Sequence, residues 1–211
     1  MVFLKSALMS KEIAKIFPID EALQNAIASV DRELFVSSSL RMHAYSLNAL
    51  PIQEDQWISS PLTVAKMTHF LMPSGADSVL EIGCGSGYQA MILSKLFRRV
   101  FSIERIEKIL LEAQDRIRKS GVYNINTKLD DGQKGWSAYA PYDRILFSAC
   151  VKKIPSAIEE QLQEGGILVA PMIEDGNKQV IRRFRKNGGY LDDGEVLESC
   201  SFVPVLDGIA R

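Results

Sequence analysis

Three short stretches of this chain carry residue types whose spacing could do chemistry together. Gly83, Gly85 and Gly87 stand at alternate positions after the apolar run "SVLEI", with Glu81 just before them and Tyr88 just after. Glu104 closes a second apolar run, "RVFSIE", and Asp131–Gly132 follows a third, "NINTKL". Glycine turns tightly and lets a ligand approach the main chain without a side chain in the way. A carboxylate at Glu104 is suited to accept hydrogen bonds from both hydroxyls of a ribose, and Asp131 from an adenine amino group. Strand ends that offer these groups side by side describe a nucleoside site.

The dinucleotide pattern Gly-x-Gly-x-x-Gly asks for a third glycine at position 88, where Tyr88 stands, with glycine at 87 instead. A pyrophosphate on a helix N-terminus needs that close approach. Glu81 would be an odd neighbour for a phosphate but suits the positively charged parts of S-adenosylmethionine. The motif therefore favours S-adenosylmethionine, with S-adenosylhomocysteine as product, over NAD. The residues expected around it are Glu81, Gly83, Cys84, Gly85, Ser86, Gly87, Tyr88, Glu104, Arg105, Asp131 and Gly132, with Cys84 packing as a small apolar side chain.

The elements that must position these residues follow from apolar spacing. From about Ser10 to Phe35 the spacing is helical, with Leu23, Ile27 and Val30 on one face. Ser60 followed by Pro61 predicts an N-cap and first helical position for a helix ending near Pro73 and Gly75. From "SVLEI" onward strand and helix alternate: "YQAMILSKL", "RVFSIE", "IEKILLEAQDRIRKSG", "NINTKL", "YDRILFSA", "PSAIEEQLQ" and "GILVAPM". That order predicts an α/β fold, a doubly wound, mostly parallel sheet covered on both faces. "KQVIRRFRKNGGYLDDGEVLESCSFVPVL" predicts antiparallel C-terminal strands joined by glycine turns. The whole, 1–211, is expected as a single domain: an N-terminal helical extension and substrate loop (1–75), a cofactor-binding core (76–172) and the antiparallel strands (173–211).

Composition narrows the function classes. The chain has 211 residues, 46% of them hydrophobic, and a formal net charge of -1, so bulk electrostatics point to neither nucleic acid nor an anionic membrane. Cys84, Cys150 and Cys200 are far apart and two histidines, His43 and His69, lack ligand spacing; reduced thiols in a cytoplasmic protein and no metal site are expected. The start "MVFLKSALMSKE" is interrupted by Lys5 and is no signal-peptide core, and no run reaches the length of a membrane span. The basic "IRRFRK" is expected to protect an edge strand.

The segments "VLEIGCGSGYQA", "VFSIERIE", "DDGQKGW", "APYDRILFSA" and "EGGILVAPM", with "RELFV", "LNALPI" and "QWISSPLTVAKM" upstream, resemble the protein-L-isoaspartate O-methyltransferase family. The resemblance runs from about Leu23 to Leu206, and its most specific part is "ISSPLTVAKM", similar to the family's Ile-Ser-x-Pro substrate-loop motif. It implies a Rossmann-like class I S-adenosylmethionine-dependent methyltransferase that repairs damaged proteins and peptides. The methyl group would go to the α-carboxylate of an L-isoaspartyl residue, and the ester would close to a succinimide. It implies Ser59 as the catalytic residue and Gln56, Ile58, Ser59 and Val203 on the substrate side, the backbone near Phe202 and Val203 lying beside the peptide. A monomer, without nucleic acid or membrane, is the expected state. The chain departs from the family pattern in its substrate loop, where Glu54 and Asp55 replace flanking glycines and Trp57 a threonine. Methyl transfer to a small molecule or RNA, an NAD-linked oxidoreductase and a non-catalytic S-adenosylmethionine sensor are the alternatives.

Overall fold

The computed structural model describes residues 3–211; Met1 and Val2, part of the start read above, lie outside the described residues. The N-terminal helical stretch is not continuous. Pro18 pushes Phe17 into an extended conformation (φ −139°, ψ 122°) and ends α1 (Leu4–Ile16). α2 (Glu21–Ala28) starts afresh under Asp20, whose carboxylate accepts the Leu23 N–H at 2.8 Å. Arg32–Phe35 is then a 3₁₀ turn capped by Asp31, so the helical spacing read from about Ser10 to Phe35 is realised as two helices and a turn. A short hairpin follows, β1 (Leu50–Pro51) and β2 (Trp57–Ile58), and then α3 (Pro61–Phe70), with Ser60 as N-cap.

Next come β3 (Ser78–Ile82), α4 (Tyr88–Leu93), β4 (Arg99–Glu104), α5 (Glu107–Lys119), β5 (Ile125–Leu129), β6 (Tyr142–Phe147), α6 (Ser156–Gln161) and β7 (Leu162–Ile173). β8 (Gln179–Asn187), β9 (Tyr190–Leu191) and β10 (Glu195–Cys200) complete the sheet. Its order is β10-β8-β7-β6-β3-β4-β5, with β9 pairing β8. β3 to β7 run parallel, and β8 and β10 join antiparallel. All five residues of β3 are buried, as a strand covered on both faces requires. The order reverses at β3, with β4 on one side and β6 on the other, and that is the crevice where parallel sheets receive ligands.

β8 is not an edge strand, contrary to the expectation for "IRRFRK". Its charges serve the sheet itself: Arg182 pairs with Glu174 at 2.7 Å, Arg183 with Glu195, and the buried Lys186 donates to the Leu162 carbonyl at 2.8 Å. Strand order is a tertiary property that a single run of residues does not disclose. The helical N-terminal segment shares one apolar core with α4: Ile13, Ile27 and Phe35 pack with Tyr88, Met91 and Ile92. "CSFVPVL" leaves the sheet after Cys200 and crosses the strand ends, where Cys150 donates to the Val203 carbonyl and Val205 donates to the Cys150 carbonyl, both at 2.8 Å.

Candidate functional site

The loop after β3 is built by its own main chain. Gly83 and Gly87 take φ of 96° and 88°, values that carry a steric penalty for any residue with a Cβ. With those turns in place, the Gly83 and Cys84 N–H groups both donate to the Ile103 carbonyl, at 2.9 and 3.0 Å, and bind the loop to β4. Glu104 completes the tie. Its Oε2 accepts the Gly85 N–H at 2.9 Å, and its Oε1 accepts the N–H groups of Arg105 (2.9 Å) and Ile106 (3.0 Å). Three backbone donors fix the carboxylate at the mouth of the crevice, and its remaining lone pairs are free for hydroxyl donors.

A cleft of about 1010 Å³, part of it open to solvent, lies over these strand ends. Of the residues expected at the cofactor, Gly83, Cys84, Gly85, Ser86, Tyr88, Glu104, Arg105 and Gly132 line it. Glu81, Gly87 and Asp131 stand behind its wall. Gly87 is the left-handed N-cap of α4, facing Ala113 and Ile117 of α5. Asp131 accepts the Gln133 N–H on Oδ1 and the Gly208 N–H on Oδ2, both at 3.0 Å, and so ties the C-terminal tail to the third strand end. The Arg105 side chain serves the same tail, donating to the carbonyls of Gly208 (3.0 Å) and Asp207 (3.3 Å). Gly132 leaves no room for a side chain: a Cβ there would lie 2.5 Å from Ile82 Cγ2.

Glu81 is fully buried and takes the hydroxyls of Ser102 and Ser148. Burial pushes its carboxyl up to about 8, against the pull of those two hydroxyls and with a small addition from the Glu104 charge. It reaches the cleft only through Ser148, which lines it. Burial likewise raises the Cys84 thiol, which leaves it a packing residue rather than a nucleophile.

The substrate-side expectations converge on the other wall. Gln56, Ile58, Ser59 and Val203 all line the cleft, together with Trp57 and Phe202. A neighbouring hollow of about 870 Å³, also partly open to solvent, shares Trp57, Ser59, Ser148, Phe202 and Val203 with it, so these residues stand where the two meet. The two serines divide their work. Ser60 Oγ accepts the Thr63 N–H at 3.0 Å and caps α3, whereas Ser59 gives the fold its carbonyl, which accepts Arg32 Nη2 at 2.7 Å. Ser59 lines the cleft, and its hydroxyl makes no hydrogen bond among the described residues.

The β1–β2 hairpin carries this wall. Its tip residues Glu54 and Asp55 take φ of 57° and 53°, the left-handed conformation that glycine adopts freely. Glu54 pairs with Lys108 of α5 at 2.8 Å and Gln53 donates to Glu112, so the altered loop is clipped to the cofactor-side helix. Sequence reasoning missed Thr63, Met67, Gln89, Ile103, Ser148 and Ala149 in the wall. Ser148 and Ala149 follow β6 directly, and the strand-end rule that found Glu104 reaches them too. The helical residues had no such signal, because packing of α3 and α4 brings them together. Among the described residues no group of three or more His, Cys, Asp or Glu is placed to hold a metal ion, and no helix is long and apolar enough to cross a membrane.

Comparison with known proteins gives consistent results. A family model described as protein-L-isoaspartate(D-aspartate) O-methyltransferase matches residues 4–210. A protein-L-isoaspartate O-methyltransferase of Helicobacter pylori is 57% identical over 206 residues, covering 98% of this chain and 98% of the relative. A solved protein-L-isoaspartate O-methyltransferase superposes with a TM-score of 0.88 at 24% identity, over 96% of this chain and 66% of that longer one. A structure from Plasmodium falciparum, a putative member of the same group in complex with S-adenosyl-L-homocysteine, superposes with a TM-score of 0.84 at 18% identity, over 95% of this chain and 98% of that one. The matched residues include both the glycine loop and the Ser59 segment.

Proposed function

The chain belongs to the protein-L-isoaspartate O-methyltransferase family, and from that premise we propose which of its own residues carry out the reaction. The reaction is repair methylation of isoaspartyl residues in proteins, dependent on S-adenosylmethionine. When bound, that cofactor supplies a methyl group on a sulfonium, an intrinsically good leaving group. The residues of the cleft fit it. Glu104 offers a fixed carboxylate for a ribose diol, the loop from Gly83 to Ser86 lines the path between the strand ends, and Gly132 clears space beside Ile82. Asp131 supports the adenine side from behind the wall by tying the C-terminal tail to the third strand end, and Glu81, a neutral carboxyl below its raised value, holds Ser148 at the other end.

The acceptor is the α-carboxylate of the isoaspartyl residue, already ionised at neutral pH, so no strong general base is required. What remains is orientation of its oxygen, which can supply several kcal/mol of the barrier. Ser59 is the catalytic residue in this reading: its hydroxyl donates to the substrate carboxylate and holds one oxygen forward. The N-terminus of α3 adds a favourable dipole. The contact positions the carboxylate more than it neutralises it, since strong ground-state stabilisation would blunt the nucleophile. Gln56, Ile58 and the backbone at Val203 flank the peptide. The methyl ester then closes to a succinimide without further help from the enzyme.

The observation that carries the assignment is the division between the serines: Ser60 is spent on the cap of α3, and Ser59 keeps a hydroxyl at the junction of the two hollows. Arg105 is the sole basic residue lining the cleft among the described residues, which disfavours a nucleic-acid groove. Ser59→Ala tests the role. Methyl transfer should fall by about 100-fold or more while S-adenosylmethionine affinity stays within about twofold; wild-type turnover in that variant would remove Ser59 from the mechanism.

We further propose that the chain works as one monomeric domain in a reducing compartment such as the cytoplasm. The apolar core shared by the N-terminal helices and α4 supports a single domain, and the free thiols of Cys84, Cys150 and Cys200 the reducing compartment.

A further inference from the structure

Arg32 is fully buried, at 0% relative exposure. Its Nη2 donates to the Ser59 carbonyl at 2.7 Å, and its guanidinium carbon lies 4.4 Å from the centroid of the Tyr88 ring. Arg32 Nε, Arg32 Nη1 and the Tyr88 hydroxyl have no hydrogen-bond partner among the described residues. The adjacent carboxylate of Asp31 is engaged elsewhere, by the Tyr45 hydroxyl at 2.6 Å and the Glu33 N–H at 3.0 Å. Burial pulls the guanidinium below its ordinary value, though arginine stays charged at neutral pH.

As a device for stability this is a poor one. A buried charge with two unpaired donors is costly, and an apolar side chain of similar length would fill the same space without that penalty. The directional contact that the arginine does make is with the main chain of Ser59. Its other face rests on Tyr88, the first residue of α4 and so the residue that follows the glycine loop. One guanidinium thus touches the substrate segment and the cofactor helix at once.

We infer that Arg32 is a positioning residue for methyl transfer: it clamps the Ser59 peptide against Tyr88 and thereby fixes where the Ser59 hydroxyl stands relative to the glycine loop. The inference rests on the assignment of Ser59 made above. Arg32 does not line the cleft; it acts through the peptide plane it holds. Without it the Ser59 carbonyl loses its donor and the segment between β2 and α3 gains freedom to turn. Misplacement of an orienting group by about 1 Å can cost about 100-fold in rate.

The test uses the intact protein with isoaspartyl peptide and S-adenosylmethionine, and the variants Arg32→Met, Arg32→Lys and Ser59→Ala, singly and combined. Arg32→Met should keep a cooperative thermal transition and an S-adenosylmethionine Kd within about threefold of wild type, while kcat falls by about 100-fold. Arg32→Lys, which can still donate to the Ser59 carbonyl, should recover part of that loss. In the Ser59→Ala background, adding Arg32→Met should cost less than about threefold more, because both act on one contact. Were the methionine variant to lose its folded transition, the lysine variant decides by the same comparison in the Ser59→Ala background.

Wild-type kcat in Arg32→Met, or losses that multiply in full in the double variant, would overturn the inference. Ser59→Ala with unchanged turnover would overturn the assignment of Ser59 and this inference with it. Collapse in Ser59→Ala with no effect of Arg32→Met overturns this inference alone.

Discussion

Glu104 Oε2 accepts the Gly85 N–H at 2.9 Å, so the end of β4 and the loop after β3 are one rigid unit rather than two neighbours. The carboxylate therefore shapes the loop and faces the cleft at the same time. In Glu104→Gln, one of three backbone donors meets an amide N–H instead of an oxygen, and a ribose acceptor is lost. S-adenosylmethionine affinity measured calorimetrically should fall by about 10- to 100-fold, equivalent to about 1.4–2.8 kcal/mol. Unchanged affinity would detach Glu104 from the cofactor site.

Glu81 makes stability depend on pH. Burial raises its folded carboxyl to about 8, against about 4.3 in an unfolded chain. Between those values the folded state holds a proton that the unfolded state has released. Its contribution is thus fully present below about pH 4 and declines as pH rises, by about 1.4 kcal/mol per unit, levelling above the folded value. Denaturant unfolding of the ligand-free protein between pH 5 and 9 should show that decline, and Glu81→Gln should flatten it. Parallel curves for the two proteins would mean that Glu81 is ionised when folded.

Trp57 stands at the junction of the two hollows and is 54% exposed. An exposed indole on a hairpin clipped to α5 offers apolar area to the peptide at little entropic cost. Trp57→Thr should raise KM for isoaspartyl peptides with an aromatic neighbour by about 2- to 10-fold. Peptides flanked by small polar residues, and S-adenosylmethionine affinity, should respond little. An equal rise for all peptides would make Trp57 a packing residue of the hairpin.

What could be read from sequence follows from what local patterns encode. The alternation of strands and helices, the Ser60 cap and the placement of Gly83 and Glu104 at adjacent strand ends depend on short-range spacing, and the fold has them as read. The interruption at Phe17–Pro18 was also local and legible, but amphipathic spacing on both sides masked it. Arg32 was not legible: in "DREL" it looks like the solvated side of a helix, and a charged residue at zero exposure is a tertiary outcome. The same holds for β8, interior because β10 returns to cover it. Glu81 stands beside the loop in sequence yet its side chain is buried on a face of the sheet, where Ser102 and Ser148 present their hydroxyls to it.

The most direct measurement is transfer of labelled methyl from S-adenosylmethionine to two short peptides that differ only in carrying an isoaspartyl or a normal aspartyl linkage. Base-labile label on the isoaspartyl peptide, and background on the other, is the expected result, with Ser59→Ala lowering the rate of labelling by about 100-fold or more. Equal labelling of both peptides, or none of either while S-adenosylmethionine still binds, would contradict isoaspartyl methylation by this cleft.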